Sequence, residues 1–333
     1  MDWNGRRVHL VGIGGAGLSA IARVLMGRGA LVSGSDLVLS TVAEALARDG
    51  ARVYLGHDAS HIADADLVVV SSAVPQDNVE VQAAQAAGIP VVKRAEMLGW
   101  LMEGSIGVAV AGTHGKTTTT AMIATVLWEA GLDPTFIVGG VMVNLGTNAR
   151  AGSGPHFVIE ADEYDHTFLG LKPQVAVVTN VEYDHPDCFK SPALLRYAFA
   201  EFVALLPADG LLVFCRDDAV AREIGAGLVA QNQAVVSYGL QGEATWRAER
   251  ICPNMAGGSD FVAVRRGQTV GEVRLRLPGA HNVLNALATL AVSEHLGVPF
   301  PTVRAALREF RGVGRRFELK GEVDGVVVID DYA

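Results

Sequence analysis

The segment Gly112-Thr-His-Gly-Lys-Thr-Thr-Thr-Thr120 constrains this chain more than any other. It stands between an apolar run, Ile106–Ala111, and a stretch with helical spacing of apolar residues, Ala121–Trp128. Strand, glycine-rich turn and helix in that order make a phosphate-binding loop. Glycines let backbone N–H groups turn inward, and the helix N-terminus adds partial positive charge. Lys116 brings a full charge for β- and γ-phosphates, and Thr117 a hydroxyl for Mg²⁺. ATP is the nucleotide this implies. The segment departs from G-x-x-x-x-G-K-[ST] at one place. Val110 holds the first glycine's position, and the nearest glycine, Gly112, is three residues before Gly115. The competing reading is a turn that merely caps a helix.

Composition narrows the class. A chain of 333 residues has room for two or three domains. Half its residues are apolar, 38 are glycine and 6% are aromatic, which suits α/β layers better than a β-sandwich. Against 27 basic residues stand 36 acidic ones, a formal charge of −9, so general nucleic-acid affinity is not expected. Cys188, Cys215 and Cys252 form no C-x-x-C pair and read as reduced thiols. With no hydrophobic signal core and no apolar run of membrane-spanning length, a cytoplasmic protein without a membrane partner is expected.

Two units of alternating strand and helix follow from the chain pattern. The first starts with Val8–Gly12, the loop Gly12-Ile-Gly-Gly-Ala-Gly17, a helical stretch Leu18–Leu25 and a strand Ala30–Asp36. G-x-G-x-x-G in a βαβ unit, with Asp36 about 20 residues on, reads as a dinucleotide or other diphosphate site. Further strands at Val53–Leu55, Leu67–Val70 and Pro90–Val92 predict a Rossmann-like, doubly wound parallel sheet over residues 1–103. The second unit, a P-loop ATPase-like α/β domain over 104–314, has strands near Phe157–Glu160, Val175–Val178 and Leu211–Phe214. β-rich sequence follows over 234–277, then helices over Val283–Leu290 and Pro301–Phe310. Gly325–Asp330 has a buried-strand pattern three residues before the end, so 315–333 is expected to be a linker and the first strand of a truncated C-terminal domain.

Candidate chemistry gathers at strand ends. Glu160 closes an apolar strand about 44 residues after Lys116, where P-loop ATPases place a Mg²⁺ ligand. Its neighbours Asp162, Glu163 and Asp165 read mainly as solvated acids. Asn180, Asp184 and His185 follow the strand Val175–Val178 and form a second polar cluster. His9, His57, His61, His156, His166 and His295 have no such company in the sequence and read as structural or surface residues. Arg315-Arg316, after Gly312-Val-Gly314, could grip a carboxylate or phosphate by forked hydrogen bonds.

Together the motifs resemble those of the Mur ligases of peptidoglycan biosynthesis, over essentially the whole chain. The resemblance rests on G-T-H-G-K-T-T-T-T at 112–120, E-A-D-E-Y-D at 160–165, T-N-V-E-Y-D-H at 179–185, G-A-H-N-V-L-N-A at 279–286, and the closing R-R-F-E-L-K-G and V-I-D-D-Y-A. The shortened phosphate loop is that family's own form. G-I-G-G-A-G-L, S-G-S-D at 33–36, S-S-A-V-P at 71–75 and the lack of lysine in Arg196–Glu201 resemble the alanine-adding branch.

The resemblance implies a ligase of cell-wall biogenesis that uses ATP and two Mg²⁺ to join L-alanine to UDP-N-acetylmuramate through an acyl phosphate, as a monomer or homodimer. It implies catalytic roles for Lys116, Glu160, Asn180, His185 and Arg316. ATP would lie on Gly112, Thr113, His114, Gly115, Lys116, Thr117 and Thr118, with His281, Asn282 and Asn285 around the adenine. Thr117, Glu160 and His185 would hold metal. The UDP-sugar would lie on Gly12, Gly14, Gly15, Ala16, Gly17, Leu18, Asp36, Ser71, Ser72 and Ala73. This branch continues beyond D-D-Y-A, so the chain is expected to bind substrates without completing ligation. The competing readings are the related ligase that recycles murein tripeptide, a non-catalytic nucleotide-binding module, another amide ligase such as folylpolyglutamate synthase, and an NAD-dependent oxidoreductase using Gly12–Gly17.

Overall fold

The computed structural model describes residues 1–316, 318–323 and 325–332. The first unit alternates strand and helix: β1 (Arg7–Val11), α1 (Ala16–Gly27), β2 (Leu31–Asp36), α2 (Thr41–Arg48), β3 (Arg52–Leu55), β4 (Leu67–Val70), α3 (Val79–Ala86), β5 (Val91–Lys93) and α4 (Arg94–Met102). Its five strands form one parallel sheet in the order β3-β2-β1-β4-β5. The order reverses between β1 and β4, and ligands of open α/β sheets bind outside the carboxyl ends of strands at such a switch point. Gly12–Gly17 leaves β1 there, and Ser71–Ala73 leaves β4 beside it.

The second sheet is larger and mixed. It is built from β6 (Ile106–Ala111), β7 (Thr135–Met142), β8 (Thr147–Arg150), β9 (His156–Glu160), β10 (Val175–Val178), β11 (Leu211–Cys215), β12 (Ala234–Gly239), β13 (Trp246–Pro253), β14 (Ser259–Arg265) and β15 (Gln268–Arg274). The order is β15-β14-β13-β12-β11-β10-β6-β9-β7-β8, with antiparallel pairing at β7–β8 and β13–β14–β15. The central strands β6 and β10 read as unbroken apolar runs because a parallel strand between helices buries both faces.

The helices are α5 (Lys116–Glu129), α6 (Pro192–Val203), α7 (Ala219–Ala230), α8 (Ala280–His295) and α9 (Phe300–Glu309). Helix α5 is buried along most of its length between the sheet and α8 and α9.

One apolar cluster crosses from the first sheet to the second, holding Leu25, Leu101 and Met102 with Phe157, Phe168 and Phe199. Each such side chain contributes roughly 1.5–3 kcal/mol on burial. The seam is polar where it must be: Arg28 lies over the Phe157 ring at 5.7 Å and donates to the Leu101 carbonyl at 2.8 Å.

The end of the chain holds two strands where one was expected. Two strands, β16 (Glu318–Val323) and β17 (Val326–Asp330), pair as an antiparallel hairpin. β17 is therefore partnered within the chain, and Val326, Val328 and Ile329 are exposed rather than buried. The β-branched pattern suits a paired strand whether or not its faces are covered. Phe317 and Ala333, which complete the R-R-F and V-I-D-D-Y-A motifs, lie outside the described residues.

Candidate active site

The second loop is shaped by β10. Gly112 has φ 140°, and a Cβ there would overlap the Thr179 hydroxyl and approach the Asn180 backbone, so only glycine lets the two segments pass. Thr179 Oγ1 then donates to the His114 carbonyl at 2.6 Å. The Asn180 side chain spans the same peptide, accepting from His114 N–H at 2.9 Å and donating to the His114 carbonyl at 3.1 Å. Both ends of the Asn180 amide are thus used to shape the loop. Gly115, at φ 80°, starts α5 without a side-chain cap, leaving helix N–H groups aimed out of the loop.

Lys116 and Thr117 each meet one carboxylate. Lys116 Nζ donates to Glu163 Oε1 at 2.9 Å and to the carbonyls of Gly112 and Thr113 at 2.5 and 3.2 Å. Thr117 Oγ1 donates to Glu160 Oε1 at 3.0 Å, while Glu160 Oε2 accepts from Gly139 N–H at 2.7 Å. Loss of water raises both carboxyls above their ordinary value, against the pull of Lys116. Glu163 is 1% exposed, and its Oε2 is buried without a hydrogen-bond partner. Glu163, which reads as a solvated acid in the sequence, is the direct partner of the loop lysine.

His185 joins from the segment that follows β10. Its φ of 53° is left-handed, and its Nε2 lies 3.9 Å from Glu163 Oε1 and 3.8 Å from Asp184 Oδ2. Asp165 and His166, at φ 51° and 53°, bend the chain just after Glu163. Non-glycine residues held left-handed cost about 1–3 kcal/mol each, which concentrates strain around this pair.

Helix α8 presents its first turn to the loop. Thr119 Oγ1 donates to Asn285 Oδ1 at 3.1 Å, Asn285 Nδ2 to Asn282 Oδ1 at 3.2 Å, and Asn282 Nδ2 lies 3.0 Å from His281 Nε2. Among the described residues, no group of three or more His, Cys, Asp or Glu side chains is placed to hold a metal by itself. Arg316 is engaged with the end of the chain: its guanidinium donates to the Tyr332 carbonyl at 2.7 Å and lies over the Tyr332 ring.

The first loop is held by β2. Gly12 and Ile13 N–H groups donate to the Ser35 carbonyl, at 2.8 and 3.1 Å, and Gly14 N–H to Asp36 Oδ2 at 2.9 Å. Gly15 and Ala16 are exposed, whereas the Leu18 side chain is buried in the core, so only its backbone is available to a ligand. Ser71 packs on Gly12, with Ser72 and Ala73 exposed beyond it.

Three histidines without visible company in the sequence share a partner in the fold. Glu80, fully buried in the first turn of α3, accepts from Ser35 Oγ at 2.5 Å and lies 2.9 Å from His57 Nδ1 and 2.7 Å from His61 Nδ1. His9 Nε2 faces it at 3.5 Å, ion-pair rather than hydrogen-bond range, and that nitrogen is otherwise unpartnered. Burial alone would raise the Glu80 carboxyl, but contacts from His9, Ser35 and His61 outweigh it and hold it at about 2. No local spacing reveals this cluster, since its members come from four separate segments.

Comparison with known proteins assigns both units to one family. Residues 110–293 match the Mur ligase middle domain and residues 7–105 the Mur ligase family, catalytic domain. The chain belongs to the Mur ligase family. Among curated relatives, the UDP-N-acetylmuramate–L-alanine ligase of Geotalea daltonii is 48% identical over 98% of this chain and 70% of its own length. That of Caldanaerobacter subterraneus is 43% identical over 98% and 71%. Of solved structures, UDP-N-acetylmuramate-alanine ligase MurC from Thermotoga maritima is 33% identical, with a TM-score of 0.84, covering 98% of this chain and 74% of that one. The UDP-N-acetylmuramate:L-alanyl-gamma-D-glutamyl-meso-diaminopimelate ligase from Neisseria meningitides is 32% identical with a TM-score of 0.82, covering 93% and 100%.

Proposed function

We propose that this chain is an ATP-dependent ligase of the alanine-adding type, acting on UDP-N-acetylmuramate and L-alanine. The observation that carries the reading is identity of 43–48% to ligases of that name over 98% of the chain, a span that includes both anion loops. Fold alone does not separate the branches, because the tripeptide ligase from Neisseria is nearly as similar in structure. That branch is the second reading.

The chemistry follows from the residues. The lactyl carboxylate oxygen attacks the γ-phosphorus of ATP; the new O–P bond forms as the bond to the β-phosphate oxygen breaks, giving an acyl phosphate and ADP. The alanine amine then attacks the acyl carbon, phosphate leaves and the amine loses a proton. Lys116 neutralises phosphate charge, and the N–H groups of the loop and α5 hold the oxygens. Asn180 and Thr179 keep the loop in shape, and the first turn of α8 frames the adenine side through His281, Asn282 and Asn285.

The donor set fits Mg²⁺. Thr117 and Glu160 offer two oxygens on one side, too few for an all-protein cage but sufficient for an ion that keeps waters and takes phosphate oxygens. His185 and Glu163 are the pair that would serve a second ion. When bound, Mg²⁺ offsets the repulsion between carboxylate and triphosphate.

We further propose a division at residues 103 and 314, a monomer or homodimer, and a cytoplasmic location. Among the described residues no helix is long and apolar enough to cross a membrane. The test is thermal unfolding of this chain with Mg-ATP, UDP-N-acetylmuramate or NADH. Ligand at 100 times Kd adds about 2.7 kcal/mol. Stabilisation by the first two and not by NADH is expected, and stabilisation by NADH alone overturns the reading.

A further inference from the structure

The first loop lacks something a diphosphate needs. Gly12–Leu18 offers N–H groups and a helix N-terminus but no cationic side chain. Arg23, further along α1, is turned to Asn148 Oδ1 at 3.0 Å. A cation reaches the loop from α4. Arg94 lies against Gly17 so closely that a Cβ there would sit 2.9 Å from Nη1 and 3.0 Å from Cζ. Its Nη2 donates to Asp162 Oδ2 at 3.0 Å, with the two side chains 26% and 34% exposed. Asp162 is the only acceptor of Arg94 among the described residues. Asp162 is anchored separately, accepting from Tyr164 N–H at 3.1 Å.

We propose that Arg94 is the diphosphate-binding cation of the first loop, held by Asp162 until a nucleoside diphosphate takes its place. The inference rests on the reading above that this loop holds a UDP-sugar. A guanidinium matches two phosphate oxygens with two parallel N–H bonds, which suits it to bridge a diphosphate lying across the N-terminus of α1. Asp162 and the ligand then compete for the same fork. The two partners of this ion pair therefore act in opposite directions on binding, whereas a pair that only holds the fold together acts in one.

The experiment is titration of the chain and of Arg94→Ala, Arg94→Lys and Asp162→Asn with UDP and with UDP-N-acetylmuramate, using the thermal shift with Mg-ATP as a check on folding. Arg94→Ala is expected to weaken UDP at least tenfold, Arg94→Lys less, and Asp162→Asn to tighten it two- to tenfold. UDP affinity within twofold of the parent in Arg94→Ala, or equal weakening by Arg94→Ala and Asp162→Asn, overturns the inference and leaves the ligase reading standing. If Arg94→Ala does not fold, Asp162→Asn decides: failure to tighten overturns the inference. A parent chain that binds neither UDP nor the UDP-sugar overturns both.

Discussion

Replacing Gly112 by alanine tests how the shortened phosphate loop is built. At φ 140° an alanine is strained, which costs about 1–3 kcal/mol. The new Cβ also meets Thr179 Oγ1, which donates to the His114 carbonyl at 2.6 Å and reaches the Ala111 carbonyl at 3.3 Å. The hydroxyl has one proton, shared between the two carbonyls and given mainly to His114, so driving it away forfeits about 1 kcal/mol. Gly112→Ala should therefore destabilise the chain by about 2–4 kcal/mol, and Thr179→Ala alone by about 1 kcal/mol. In the double variant the methyl group has room and the hydroxyl's bond is already lost. Its cost should match that of Gly112→Ala, about 1 kcal/mol less than the sum of the singles.

Denaturant unfolding of the four proteins measures this, and Mg-ATP titration of the same samples reports the loop. Without the tie from Thr179 the His114 peptide is held by Asn180 alone, and the N–H groups that face phosphate lose their alignment. ATP should bind at least tenfold more weakly to Gly112→Ala. A Gly112→Ala chain as stable as the parent, or a double variant whose cost is the sum of the singles, refutes the argument that glycine is required by the passage of β10.

Two further substitutions test buried carboxylates by opposite signs. Glu80 is held at about 2 in the fold, below its ordinary 4.5, so its contribution is present above 4.5 and is lost as pH falls toward 2. Glu80→Gln should cost roughly 2–3 kcal/mol at neutral pH, with the gap to the parent closing below about pH 4, read by denaturant unfolding across pH. Glu163 and Glu160 are raised by burial, so their contribution is present below 4.5 and is lost as pH rises through their folded values. The melting temperature of the parent should therefore fall relative to Glu163→Gln as pH rises above the ordinary carboxyl value of 4.5. Parallel curves would show that Glu163 ionises as easily in the fold as in the unfolded chain.

What could be read in the sequence is what local pattern determines. The runs Leu67–Val70, Ile106–Ala111 and Val175–Val178 are β4, β6 and β10 to the residue, because a strand buried on both faces must be apolar throughout and ends where it meets solvent. Glu160 was legible for the same reason, as the first polar residue after such a run. Contacts between segments were not. Arg94 and Asp162 are 68 residues apart, and His9, His57, His61 and Glu80 meet only because β1, the turn after β3 and α3 converge. β16 was not legible because Glu318–Val323 carries no apolar run.

The charges at the site argue for a divalent ion before any ligand does. Lys116 and Arg94 face three carboxyl groups, Glu160, Asp162 and Glu163, in a chain whose formal charge is already −9. Each cation is satisfied in the free chain by a carboxylate of the same short segment. ATP binding must therefore displace Glu163 from Lys116 while bringing several more negative charges beside Glu160, a repulsion that Lys116 alone does not offset. A cation between Thr117, Glu160 and the phosphates offsets it. The first loop presents no such acidic pair to its ligand beyond Asp36, whose carboxylate is already bonded to Gly14 N–H. Removal of Mg²⁺ with EDTA should thus abolish stabilisation by ATP while leaving stabilisation by UDP within twofold in affinity. Equal loss of both would mean that the two loops share one electrostatic requirement and that Arg94 is not sufficient for the first.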